Sequence, residues 1–72
     1  MAKWIFTTEF KGQRIFIVCR LCKGLLDIEK RVGCTIKPTG LTDDIFGRGF
    51  IANRGQIYSL KGFKSLLNSL GY

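Results

Sequence analysis

The cysteines are the residues of this chain whose type and spacing could do chemistry. Cys19 and Cys22 have the spacing of a metal knuckle, and Cys34 follows later in the chain. A zinc site needs four ligands, and a chain without histidine would have to complete it with Asp27, a water or a second chain. Two other interpretations stay open: buried thiols that act as small hydrophobes, and a disulfide or redox pair. An odd number of cysteines in a reducing compartment favours buried thiols, so we expect no metal and no cofactor.

The segment around Cys19 and Cys22 resembles a zinc finger, in which a β-hairpin bearing Cys-x-x-Cys precedes a helix. The two histidines of that pattern are absent from this chain. The resemblance covers a small part of the sequence, and no function is carried over from it.

Catalytic constellations are missing from the sequence. The absence of histidine excludes Ser-His-Asp and Cys-His schemes and removes the commonest general base. Asp43 and Asp44 are adjacent, and neighbouring residues on a helix do not face each other, so we expect them to start a helical turn. Gly47-x-Gly49 lacks the later glycine and the Lys-Ser/Thr of phosphate-binding loops. We therefore expect a protein that is not an enzyme.

The charge balance bears on the partner. Twelve Lys and Arg stand against five acids, which gives a net charge of +7. Nucleic acid is the commonest reason for such an excess, and a merely solvated basic surface is the alternative. One group of cations, Lys11, Arg14, Arg20 and Lys23, flanks the first predicted hairpin. A second group lies in residues 45–72, which contain no Asp or Glu.

Candidate nucleic-acid-binding residues combine cations that displace counterions from phosphates with polar groups that fix the register. Arg54 is expected at a hairpin tip, from which it could reach a groove, and Asn53 and Gln56 could hydrogen-bond to bases. The alternative is that Asn53 and Gly55 only satisfy the geometry of the turn while Arg54 is solvated. The full candidate set is Arg48, Asn53, Arg54, Gln56, Lys61, Lys64, Asn68, Arg14 and Arg20.

Aromatic side chains offer a second way to bind nucleic acid. An exposed Trp4, Phe10 or Phe46 could stack on single-stranded bases, although most aromatic residues in so small a domain belong to the core. We expect a small regulatory module that binds nucleic acid, with DNA favoured over RNA. The alternative is a protein of viral or mobile-element type that binds an acidic host protein and inhibits or adapts it.

Two further predictions concern assembly and location. A homo-oligomer is a third alternative, with Phe46, Phe50 and Tyr72 as candidate contacts. The longest apolar stretch, Ile15 to Cys19, is too short to span a bilayer, so we expect a cytoplasmic protein that does not bind membranes.

Residues 1–72 make one domain with a small core. Strand-like patterns occupy Trp4–Phe10 and Gln13–Leu21, and Lys11-Gly12 fits a two-residue hairpin turn between them. The second strand is apolar on both sides, which predicts a central position in the sheet. Leu25, Ile28 and Val32 then recur at helical spacing, followed by Gly33 as a helix stop.

The middle of the chain is less regular. Cys34 to Lys37 is predicted to be a short strand, ended by Pro38-Thr39-Gly40, and Thr42 is expected to cap one helical turn. Phe50–Ala52 and Gln56–Tyr58 are predicted to form a second hairpin.

The last helix is the clearest. Ser59 is the expected N-cap and Gly71 the residue that ends the helix. The apolar stripe consists of Leu60, Phe63, Leu66, Leu67 and Leu70. The sequence thus predicts an α+β fold: a small antiparallel sheet of about four to five strands built from two hairpins, with two helices, the second C-terminal and amphipathic.

Overall fold

The computed structural model describes residues 3–20, 23–43 and 55–72. Within these ranges the chain forms one four-stranded sheet and two helices, so the predicted α+β class and strand number are confirmed. In chain order the elements are β1 (Trp4–Phe10), β2 (Gln13–Cys19), α1 (Leu25–Val32), β3 (Lys37–Leu41), β4 (Gln56–Ser59) and α2 (Leu60–Ser69).

The first hairpin is as predicted. β1 and β2 pair antiparallel from Trp4 opposite Cys19 to Phe10 opposite Gln13. Lys11 and Gly12 form the two-residue turn, and both have positive φ, at 52° and 77°. This is the backbone that matches the twist of the flanking strands, and glycine adopts it without a steric penalty.

The sheet is mixed, which corrects the expectation of a wholly antiparallel one. The strand order is β3-β1-β2-β4, and β4 runs parallel to β2, with Ile57 opposite Phe16. A parallel pair needs a long connection, and the chain between β2 and β4 supplies it. The predicted strand at Gln56–Tyr58 exists, whereas its proposed hairpin partner, Phe50–Ala52, lies outside the described residues.

The third strand lies later than predicted. It runs through Pro38 and Gly40, which we had expected to end it. Within the described sheet β3 is an outer strand, paired with β1, and its register shifts between Ile5 and Phe6. Outer strands and bulges tolerate proline, because its missing N–H need not join a ladder there.

β2 is buried on both faces, as its two-sided apolar pattern predicts. On the helix side, Ile15 and Ile17 belong to one buried cluster with residues of both helices. On the other side, Phe16 packs with Ile5. Among the described residues the helix-side cluster is the larger, and its buried members are Phe10, Ile15, Ile17, Cys19, Leu25, Ile28, Phe63 and Leu67.

The first helix is confirmed. Leu25 and Ile28 are buried, and Gly33 ends the helix in the left-handed conformation. The N–H of Gly33 donates to the carbonyl of Glu29 at 2.7 Å. The Glu29 carboxylate accepts the N–H of Ile36 at 2.9 Å, which fixes the chain on its way to β3.

The second helix has the predicted caps. The Ser59 hydroxyl accepts the N–H of Gly62 at 3.0 Å. At the other end Gly71 has a φ of 90°, and the N–H of Tyr72 donates to the carbonyl of Leu67 at 3.0 Å. This is a Schellman closure, which satisfies carbonyls that the helix leaves free. Phe63 and Leu67 are buried, while Leu70 is exposed.

The close approach of β4 to β2 gives a test of this fold. A Cβ on Gly55 would overlap the carbonyl oxygen of Arg14. We expect Gly55→Ala to lower the free energy of unfolding by about 1–3 kcal/mol, the usual cost of overpacking. Urea unfolding would measure it, with Ser65→Ala on the exposed side of α2 as a control that changes stability by about 0.5 kcal/mol or less. An unchanged midpoint for Gly55→Ala would contradict the β2–β4 pairing.

Candidate nucleic-acid interface

The parallel pairing of β4 with β2 brings the starts of both helices to the same edge of the sheet. Val18 lies opposite Ser59, so the residues that follow each strand leave the sheet side by side. At this edge Arg20 follows β2, and Lys61 lies in the first turn of α2. The antiparallel β1 begins at the same edge, because Trp4 lies opposite Cys19.

Five cations gather along this edge. The ammonium end of Lys64 occupies the space that a side chain at Gly24 would need, which joins α2 to the start of α1. Lys64 is half-buried and the other members are exposed. We name this surface the basic rim, and it consists of Lys3, Arg20, Lys23, Lys61 and Lys64.

In the part of the chain that the structure describes, no acidic side chain forms an ion pair with a cation of the basic rim. Glu9 lies near the opposite end of β1, opposite Arg14. Asp27 is in the first turn of α1, but its carboxylate is 3.9 Å from the guanidinium of Arg31, one turn further along. Asp43 follows Thr42, whose N–H donates to the carbonyl of Lys3 at 3.0 Å, so the backbone of this acid lies near one member of the rim.

The helix dipoles make this arrangement unfavourable for folding alone. The N-terminal end of a helix carries a partial positive charge, which acidic residues stabilise and basic residues oppose. The first turn of α2 contains no acid and does contain Lys61. The start of α1, at Gly24, has no side-chain cap and lies against Lys64. The rim thus adds positive charge where the backbone is already positive.

Two cations at the other edge of the sheet, Arg31 and Lys11, have partners within the fold. Lys30 and Arg31 are in the last turn of α1, where the dipole favours them. Arg31 donates to the side-chain oxygen of Asn68 and to the main-chain oxygen of Tyr72, the latter at 2.6 Å. Lys11 lies over the rings of Phe10 and Tyr72, at 5.6 and 5.7 Å. These contacts tie the ends of both helices to the first hairpin.

The predicted site residues are therefore divided between the two edges. Arg20, Lys61 and Lys64 come together on the basic rim. Arg14 and Gln56 lie at the beginnings of β2 and β4, at the opposite edge, and both are exposed. Asn68 is bonded to Arg31 between the helices. The remaining candidates, Arg48, Asn53 and Arg54, lie outside the described residues.

Three residues of this edge were not in the predicted site. Lys3 and Lys23 join the rim only because β1 and β2 pair antiparallel and Gly24 meets α2. Trp4 is 45% exposed at the same edge. Of the other aromatic candidates, Phe10 is buried in the core, and Phe46 lies outside the described residues. The sequence indicates Lys23 as a cation beside the first hairpin and Trp4 as an aromatic candidate, but it does not indicate that they meet Lys3, because strand pairing brings them together.

The cysteines differ from the interpretation that favoured buried thiols. Cys19 is buried, as expected for the core side of β2, but it is disulfide-bonded, whereas Cys34 is a free thiol. Disulfides are rare in reducing compartments, so a bonded Cys19 counts against the cytoplasmic location, which stays a prediction. Across residues 3–20, 23–43 and 55–72, no three His, Cys, Asp or Glu side chains are grouped as metal ligands.

A cleft of about 490 Å³ opens at the opposite edge, between the end of β1 and the chain leading into β3. Glu9, Arg14 and Lys37 all line it. Its charges are mixed, and it does not continue the basic rim.

The conflict between rim charge and helix dipole can be measured. We expect Lys61→Glu to raise the free energy of unfolding by about 0.3–1 kcal/mol at low salt, because it places an acid in the first turn of α2. Lys30→Glu makes the same charge change in the last turn of α1 and should lower it by a similar amount. Urea unfolding of both variants would show the difference, and a loss of stability in Lys61→Glu would contradict this account of the edge.

Comparisons with known proteins leave the interface to be interpreted from its own geometry. Neither helix in the described part of the chain is long and apolar enough to cross a membrane. Searches against protein-family models, curated proteins and solved structures found no match to this chain.

Proposed function

We propose that this protein is a small non-catalytic module that binds nucleic acid through its basic rim. The observation that carries the proposal is the gathering of Lys3, Arg20, Lys23, Lys61 and Lys64 at the edge where both helices begin. DNA is the favoured partner. Phosphate contacts alone do not separate DNA from RNA, so both belong in the test.

A polyanion accounts for the charge at this edge better than folding does. Each cation near a helix start costs the fold on the order of 0.3–1 kcal/mol, so folding alone would favour acids there. A bound phosphate chain reverses the sign of that interaction, because its negative charges meet both the cations and the helix starts. The positive charge at the helix starts, which lowers the stability of the free protein, would then stabilise the complex.

The dimensions of the edge suit a row of phosphates. Neighbouring strands lie about 4.8 Å apart, so the edge of a four-stranded sheet is about 14 Å wide. Duplex DNA carries about one charge per 1.7 Å of its axis. Several phosphates therefore fall within reach of the rim at once.

Salt dependence is the first test. Each phosphate contact gives a slope of about −0.7 to −0.9 in a plot of log affinity against log salt. If all members of the rim make contacts, a fourfold rise in salt should weaken binding on the order of a hundredfold. Fluorescence anisotropy with labelled single-stranded and duplex DNA and RNA would measure it. No binding to any of them at low salt would overturn the proposal and leave an acidic protein surface as the partner to seek.

Substitutions locate the interface. We expect Arg20→Ala and Lys61→Ala each to weaken binding and to reduce the steepness of the salt dependence by about one contact. Lys30→Ala removes an equally exposed cation from the other edge and should leave both quantities unchanged. Equal losses in all three variants would show that binding depends on net charge and does not involve the rim.

A further inference from the structure

Trp4 occupies an unusual position for the one tryptophan of the chain. It opens β1 at the edge that carries the basic rim, and 45% of its surface is exposed. Its backbone is held on both sides, since it lies opposite Cys19 in β2 and Leu41 in β3. The backbone that carries this large, partly exposed ring is therefore fixed by pairing on both sides.

The other described aromatic residues are used within the fold. Phe10 meets Phe63 edge to face, with ring centroids 5.8 Å apart, and Tyr58 packs on the same Phe63 at 5.6 Å. Tyr72, although partly exposed, contacts Phe10 at 5.5 Å. Among residues 3–20, 23–43 and 55–72, Trp4 makes no contact with another aromatic ring, and nearly half of its surface is exposed.

The cations beside Trp4 indicate what would cover it. Lys3 precedes it in the chain, and Arg20 follows Cys19, the residue opposite Trp4 on the neighbouring strand. An exposed aromatic ring at the same end of the strands as exposed cations suits a ligand that has both negative charges and flat apolar faces. A nucleic acid strand has both, in its phosphates and its bases.

We propose that Trp4 stacks on an unpaired base, and that the ligand class of the basic rim is single-stranded nucleic acid. This inference rests on the proposed function, since the rim supplies the phosphate contacts. In a duplex, base faces are stacked on their neighbours and cannot cover a protein ring. An unpaired base can, and stacking tolerates any base because each one has a π face. The interface would then distinguish single-stranded from double-stranded nucleic acid without preferring a base sequence.

Two readouts on the same samples test this inference. Anisotropy of a labelled oligothymidylate and of a blunt two-stranded duplex measures binding. Tryptophan fluorescence reports the surroundings of Trp4, because it is the one tryptophan of the chain. We expect the single strand to bind more tightly than the duplex at equal salt and to quench the tryptophan. Trp4→Ala should weaken single-strand binding roughly 5- to 150-fold, the range of one base–aromatic stack, and change duplex binding little.

Matched variants separate stacking from folding. Leu70→Ala removes a side chain with the same exposed fraction, 45%, from the far end of α2 and should leave single-strand affinity unchanged. Trp4→Phe keeps a smaller ring on the strand and should retain part of the preference even if Trp4→Ala unfolds. Equal affinity for strand and duplex, or binding without quenching, would overturn the role of Trp4 while the proposed function stood. No anisotropy change with either ligand would overturn both.

Discussion

β4 lies against β2 in parallel, with Ile57 opposite Phe16 and Ser59 opposite Val18. The pair depends on Gly55, because any side chain there would meet the Arg14 carbonyl. Since α2 begins directly after β4 and α1 begins shortly after β2, both helices start at one edge and run towards the other. The meeting of both helix starts, and of the cations beside them, follows from that one pairing.

The cations at the two edges of the sheet affect the stability of the fold in opposite ways. At the ends of the helices, Arg31 is bonded to Asn68 and Tyr72, so its charge helps to hold α1 and α2 together. At the starts of the helices, Lys61 and Lys64 oppose the backbone charge. Selection for stability alone would not favour Lys61 and Lys64 at these positions. This contrast, more than the net charge of the chain, supports a partner that is a polyanion.

Local features could be predicted from the sequence, because short-range information determines them. The Lys11-Gly12 turn, the Ser59 cap and the Gly71 closure each depend on residues a few positions apart. The parallel pairing could not be predicted in this way, since it depends on contacts between distant segments. Pro38 is a related case: it is a strand breaker by local rules, and a shifted register on an outer strand accommodates it.

The candidate site likewise combines features that the sequence predicts with features that depend on the pairing of distant segments. Residue type alone identified Arg20, Lys61 and Lys64 as candidates. Their meeting with Lys3 and Trp4 required the register of β1 on β2, in which Trp4 faces Cys19. Arg14 and Gln56 have suitable side chains, but they start the two parallel strands and so lie at the far edge.

Because both helices start at the edge that carries the basic rim, the positive ends of their dipoles lie beside its cations. The positive pole of each helix and the cations beside it point the same way along the strands. On the proposed function, the rim and the helix starts would together attract a nearby polyanion to this edge, over about 10 Å at 0.1 M salt. Association would then be faster at low ionic strength, because salt screens this attraction less.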